Sequence, residues 1–148
     1  MHKEIDMENK KFKPLVDRLY LWIIIPTAAI LAATTVLGAF HYVTLFFIIP
    51  VDLLVLYFLI SPAFGYVELR KETLIIKYGF FLKKEIPYNK IRKAEKDRKF
   101  YSESMTSLKC ALEHVNIKYN KYDVTTVSVI GNDDLVFELE KRRFDKTA

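Results

Sequence analysis

The sequence is poor in the residues that most catalytic and metal-binding chemistry needs. It has one cysteine, Cys110, which excludes an internal disulfide. Taken with the topology argued below, that lone thiol fits a reducing compartment. One cysteine also cannot build a cysteine-based zinc site. The three histidines, His2, His41 and His114, fall at a terminus, a hairpin tip and a strand, without metal-ligand spacing. With four glycines in all, the phosphate-cradling patterns GxGxxG and GxxxxGKS/T are both missing. Ser102, Ser104 and Ser107 have no neighbouring histidine to activate them. Cys110 has His114 four residues on, but the pattern there is that of a strand, not of a helix that would bring the two together. Cys110 therefore reads as a small buried hydrophobe. No catalytic set, metal site or cofactor is expected, and the chain reads as a non-enzyme.

The second absence concerns charge. From Leu19 to Ile60 there is no Lys, Arg or Glu and a single Asp. Leu19–Phe40 gives 22 uncharged residues and Val43–Ile60 gives 18, or about 33 Å and about 27 Å of helix, against a hydrocarbon core of about 30 Å. With only His41 and Tyr42 between them, residues 19–60 are expected to form an antiparallel transmembrane hairpin of spans 19–40 and 43–60. A signal peptide is the rival for the first segment. That segment is too long for an ordinary signal core, and a second span follows at once.

Positive charge sets the orientation. Residues 1–18 carry five Lys or Arg, the hairpin tip none, and residues 61–148 the other 18. A multi-pass protein of the cell membrane with both termini cytoplasmic is expected: segment 1–18, the hairpin, then a domain at 63–148. Trp22, Tyr20 and Tyr42 suit the interfaces. Pro26 and Pro50 should kink the two helices. Asp52 falls near the middle of the second span, where a charged carboxylate costs at least about 2.5 kcal/mol. It has to be protonated or find a partner: the hydroxyl of Thr27, Thr34 or Thr35, the carbonyl freed by Pro50, or a partner helix or inserted peptide.

Beyond Gly65 the pattern alternates with the period of strands. Val67 and Leu69 share one face of YVELR. Leu74, Ile76 and Tyr78 oppose Thr73, Ile75 and Lys77, and Gly79 turns the chain. FLKKEIP and RKAEKDR follow as further strands. In HVNIKY, Val115, Ile117 and Tyr119 are expected inward and His114, Asn116 and Lys118 outward. DVTTVSVI is another strand, with Val127 and Val129 on one side. NDDLVFELEKRR reads as a closing helix, with Asn132 as N-cap, acids in its first turn, bases in its last, and an apolar stripe of Leu135, Val136 and Leu139.

YVELRKETLIIKYGFFLKKEIPYNKI resembles the bacterial PH-like domains of small membrane proteins, in its Leu-Ile-Ile strand, glycine turn and Ile86-Pro87-Tyr88-x-x-Ile91 step. SLKCALEHVNIKY resembles the same family at Ser107, Ala111, Val115, Ile117 and Tyr119. The resemblance implies a mainly-β PH-like domain of about seven antiparallel strands capped by a C-terminal helix. Relatives include the sublancin immunity protein, which protects a bacterium from its own bacteriocin. Eukaryotic PH domains bind phosphoinositides through a basic first hairpin. Here that hairpin, around Arg70–Glu72, is mixed in charge, so that ligand does not carry over.

KIRKAEKDRK, residues 90–99, is the most basic stretch, with six bases against two acids. A nucleic-acid partner is not expected, because no aromatic is interleaved before Phe100 and Tyr101. In a strand, Lys90, Arg92, Ala94, Lys96 and Arg98 share one face, and Ile91 anchors the other in the core. Neither face is fully apolar, so an edge position or a departing distal half is expected. Lys96, Arg98 and Lys99 are left to meet anionic lipid or a protein partner, each worth about 1 kcal/mol beside an anionic leaflet. The expected function is a membrane-anchored PH-like binding module, acting as a bacteriocin immunity protein at the inner leaflet. The alternatives are a scaffold or regulatory subunit recruiting a protein, or a small transporter subunit using Asp52. Expected partners are the lipid bilayer and a bacteriocin or another membrane protein; the oligomeric state stays open.

Overall fold

Two apolar helices interrupt a β domain between its first and second strands. The computed structural model describes residues 9–101, 104 and 107–147. Strand β1 (Lys10–Phe12) comes first, followed by helices α1 (Arg18–Gly38) and α2 (Tyr42–Ile60) and a short 3-10 turn at Ser61–Phe64. Then come β2 (Tyr66–Leu69), β3 (Thr73–Tyr78), β4 (Leu82–Pro87), β5 (Ile91–Arg98), β6 (Ser107–Leu108), β7 (Glu113–Tyr119), β8 (Asp123–Val127) and α3 (Asn132–Thr147). Seven of these eight strands follow the helices.

Helix α1 is started by Asp17, whose Oδ1 accepts from the Arg18 backbone N–H at 2.6 Å. Pro26 and Pro50 lie inside α1 and α2. Both helices are long and apolar enough to cross a membrane. Gly38 is the one buried residue between them, in contact with Ile48 and Leu45 at the tight return. The remaining apolar side chains of the pair are largely turned away from the protein.

The strands form two four-stranded sheets, ordered β1-β2-β3-β4 and β5-β7-β8-β6, antiparallel except for the parallel β6–β8 pair. They enclose one core. Val67, Leu69, Leu74, Ile76 and Ile86 come from the first sheet, Ile91, Val115, Ile117 and Val127 from the second, and Leu135 and Leu139 from α3. The alternation in β2 and β3 thus places the residues it should. Ile75, on the other face of β3, is also fully buried.

Three local departures have physical causes. In β7, His114 and Asn116 are buried on the face expected to meet water. Asn116 Oδ1 accepts from the Thr126 hydroxyl at 2.8 Å, which satisfies the amide oxygen across the strands, and His114 Nδ1 faces Leu112 O at 2.8 Å. In β5, a bulge between Ile91 and Lys93 inserts one residue, so Ile91 and Ala94, three apart, both reach the core. The register beyond the bulge is therefore opposite to a regular strand, and β5 stays paired with β7 through Arg98–Glu113 at the sheet edge. At α3, Asn132 is the first helical residue and not the cap. Its Oδ1 accepts from the Val129 N–H at 3.0 Å, while the Gly131 carbonyl takes the first helical bond from Leu135.

The segment ahead of the hairpin is a structural strap. Lys10, Lys11 and Phe12 pair with Leu69, Glu68 and Val67 of β2. The chain then crosses to the second sheet. The Leu15 N–H donates to Ser128 O at 3.0 Å, Ile130 N–H to Lys13 O at 2.9 Å, and Asp17 N–H to Cys110 O at 2.9 Å. Residues 10–17 thereby stitch both sheets together before α1 begins.

Candidate functional site

The residues singled out from sequence do not gather into one site. Lys96, beyond the bulge, points toward α3. Its Nζ donates to both carboxylate oxygens of Asp133 at 3.0 and 2.9 Å, with Glu113 at 3.9 Å. The Asp133 partner holds the ammonium above the usual lysine range. Lys99 pairs with Asp97 at 2.8 Å, which holds that carboxyl below its usual range, helped by the Arg98 backbone N–H. Arg98 is exposed and lines a shallow hollow with Asp17 and Glu113. Within the run, Lys93 thus pairs with Glu95 and Lys99 with Asp97, Arg92 donates to Lys121 O, and Lys96 reaches the acids of β7 and α3. That distribution was hidden in the sequence, since Lys96 and Asp133 lie 37 residues apart.

Asp52 is held inside the hairpin. Its Oδ2 accepts from the Thr35 hydroxyl at 2.6 Å and stands 3.5 Å from that of Thr34. The same hydroxyls also bond back to Leu31 O. The Asp52 contact thus ties the middle of α2 to the last turns of α1.

A row of chemically suggestive residues crosses the second sheet. Asp97 pairs with His114, and Ser128 lies one register step beyond the Val115–Val127 pair. The order resembles a charge-relay set, but the geometry does not act as one. His114 Nδ1 faces Leu112 O at 2.8 Å and Asp97 is engaged by Lys99. His114 and Ser128 are fully buried, and no hydrogen bond joins His114 Nε2 to the Ser128 hydroxyl. Cys110 is buried against Tyr20, and burial pushes its thiol up to about 11, so it is not a thiolate at neutral pH. Among the described residues no cluster of three or more His, Cys, Asp or Glu could hold a metal.

The β2–β3 turn is the hairpin whose charge is mixed in the sequence. Here Arg70 is paired with Glu68 at 2.9 Å, and its carbonyl accepts from the Tyr88 hydroxyl and from Arg142 Nη1. The turn is consumed by structural bonds.

Two hollows lie where the helices enter the domain. One, of about 180 Å³, is lined by Tyr57 and Phe58 of α2, Ser61 and Pro62, Tyr78 and Leu82, and Ser107. The other, of about 110 Å³, is bounded by Leu19, Tyr20 and Ile23 of α1 and by Phe100 and residues 109–112. They were not legible beforehand, because each joins a helix foot to a loop distant in sequence.

Two sheets of this order closed by a C-terminal helix, entered through a helical hairpin, are the context for the comparison with known proteins. Residues 65–143 match the bacterial PH domain. The chain belongs to that family. PH domains are typically non-catalytic binding modules. No curated protein and no solved structure is similar enough to count as a match. The family match begins at Gly65, so it includes neither the helical hairpin nor β1, although β1 completes the first sheet.

Proposed function

We propose that this bacterial PH-domain protein is a membrane-anchored binding module without catalytic activity, carried on a two-span hairpin with both termini in the cytoplasm. The observation that carries the reading is the pairing of Lys10–Phe12, before the hairpin, with Val67–Leu69, after it. Strands that share hydrogen bonds lie on one side of a membrane, and an even number of crossings satisfies that requirement. The positive charge of both flanks supports the cytoplasm as that side. The most specific role consistent with this architecture is protection against a membrane-active bacteriocin, with the domain held at the inner leaflet. Lys96, Arg98 and Lys99 then add weak, salt-sensitive attraction to anionic lipid, which fades over about 8 Å at physiological salt.

The test has two arms. Reporter fusions at residue 148 and at the His41–Tyr42 tip should report cytoplasmic and external positions; an external C-terminus refutes the anchor reading. For the role, the full chain is expressed in a sensitive host and challenged with a bacteriocin whose precursor or exporter gene lies beside its own. Survival supports immunity. Unchanged killing, with a membrane protein captured by cross-linking, moves the role to scaffold or regulatory subunit.

A further inference from the structure

The domain carries large aromatic side chains in the open at several places, among them Tyr122 in the β7–β8 turn and Phe137 and Phe144 on α3, and two of these places are at the foot of a helix. In the β3–β4 turn, Phe80 and Phe81 stand beside Tyr57 of α2, each with ring centroids 5.9 Å from it, and Phe80 also stacks on Phe64 at 4.9 Å. Phe81 is nevertheless 82% exposed. Beyond β5, Phe100 and Tyr101 are 71% and 62% exposed, and Phe100 borders the hollow that Leu19 and Ile23 of α1 line.

Both places are held in shape. Gly79 has φ +75°, and a Cβ there would overlap Ser61, so the turn is pinned against the end of α2. Lys109 Nζ donates to Tyr101 O at 2.7 Å and also to Lys99 O, which fixes the Phe100–Tyr101 bend. Neither aromatic pair packs into the core, and exposed apolar patches fixed in this way mark interaction sites.

Depth identifies the occupant. Tyr57 lies three residues before the end of α2, which is about 4.5 Å along the helix axis. Rings stacked on Tyr57 sit level with the last turn of that helix. Whatever surrounds the apolar surface of α2 must therefore also meet Phe80 and Phe81. The flanking charge agrees, because Thr73–Lys84 contains Lys77, Lys83 and Lys84 and no acid. Aromatic and apolar side chains backed by lysines are the composition that lies in the boundary between headgroups and acyl chains.

We infer that Phe80–Phe81 and Phe100–Tyr101 are two interfacial footholds that insert into the headgroup boundary of the bilayer holding α1 and α2, and so fix the tilt of the domain on the membrane. This rests on the reading of α1 and α2 as membrane-spanning. The full chain is reconstituted in vesicles of mixed zwitterionic and anionic lipid brominated high on the acyl chains. Trp22 of the unaltered chain reports on α1. Three further proteins, all carrying Trp22→Phe, have Phe81→Trp, Phe100→Trp or Tyr122→Trp as their single tryptophan. Tyr122 follows β7, which leads away from the α1 foot at residues 109–112 over seven residues, about 24 Å.

The expected result is blue-shifted, strongly quenched emission from Trp22 and from the Phe81→Trp and Phe100→Trp proteins. The Tyr122→Trp protein should keep water-like, unquenched emission. Quenched Trp22 with water-like emission from either foothold variant overturns the inference and leaves the spans intact. Blue-shifted but unquenched emission from a foothold variant also overturns it, in favour of a protein contact. An unquenched Trp22 refutes the spans themselves, and the inference with them. All four substitutions exchange one aromatic for another at an exposed position, so loss of fold is not expected, and circular dichroism checks it.

Discussion

Replacing Phe12 with alanine tests whether the strap ahead of the hairpin is part of the domain. Phe12 is 6% exposed and belongs to the core cluster, opposite Val67 in the β1–β2 register. Phe→Ala in a core costs about 3–5 kcal/mol. The lower end applies here, because a three-residue edge strand can relax into part of the cavity. A loss of about 3 kcal/mol lowers the folded-to-unfolded ratio about a hundredfold, which is a large share of the 5–15 kcal/mol typical of a domain. The matched control is Lys11→Ala. Lys11 is exposed and lies 3.9 Å from the Tyr66 ring centroid, a contact worth about 0.5–1 kcal/mol. Urea-dependent pulse proteolysis of the full chain in detergent measures both. A Phe12→Ala cost below about 1 kcal/mol, or one equal to that of Lys11→Ala, would refute the strap as a core element.

Other substitutions address separate parts of the molecule. Asp52→Asn should insert and fold normally, because an amide can still accept from Thr35, whereas Asp52→Lys should reduce the membrane-inserted fraction measured by fractionation. Lys96, Arg98 and Lys99 changed together to Gln should remove salt-sensitive binding of the detergent-free domain to anionic vesicles while shifting stability by less than about 1 kcal/mol, since the pairs broken are exposed. The domain used must retain residues 10–17. Gly79→Ala should cost at least about 1–2 kcal/mol for its positive φ alone, and more for the overlap with Ser61, read as a lower melting temperature. Glu95 and Asp97 are held below the usual carboxyl range by Lys93 with Lys118 and by Lys99, respectively. Their contribution is therefore present above the unfolded values near pH 4 and lost as pH falls through the folded ones. Acid titration of the Lys99→Gln protein should show a smaller loss than the unaltered chain.

What could be read beforehand was what repeats locally. Val67, Leu69, Leu74 and Ile76 alternate, and Leu135 and Leu139 recur at helical spacing, so strands and helix followed from neighbours alone. The strap could not be found in that way. KKFKP is short and lysine-rich, and its partner Val67 lies 55 positions from Phe12. The β5 bulge was equally hidden, because nothing around Arg92 marks the extra residue that turns Ala94 inward. His114 and Asn116 were assigned to water because polarity usually means exposure, but Asn116 is satisfied by Thr126 across the sheet. The footholds failed to register for a related reason. Nothing local to Phe80, Phe81, Phe100 and Tyr101 separates a core aromatic from an exposed one, and only their positions against Tyr57 and beside Leu19 distinguish them.

The interrupted order of the fold has an energetic consequence. Pairing Phe12 with Val67 in an unstructured chain closes a loop of 54 intervening residues. Once α1 and α2 have formed, Arg18 and Ile60 lie at neighbouring helix ends, and only residues 13–17 and 61–65 remain to be ordered. Loop-closure entropy grows as the logarithm of length, so the difference is worth about 1.5 kcal/mol. A hairpin formed first therefore favours the strap, and the strap in turn holds both helix feet to the sheets. The same coupling limits how far the domain can swing. A module joined to its anchor by one linker can rotate freely, whereas here the chain enters α1 from a strand and leaves α2 into another strand of the same sheet. Any ligand that tilts the hairpin must then either tilt the domain with it or break the β1–β2 ladder.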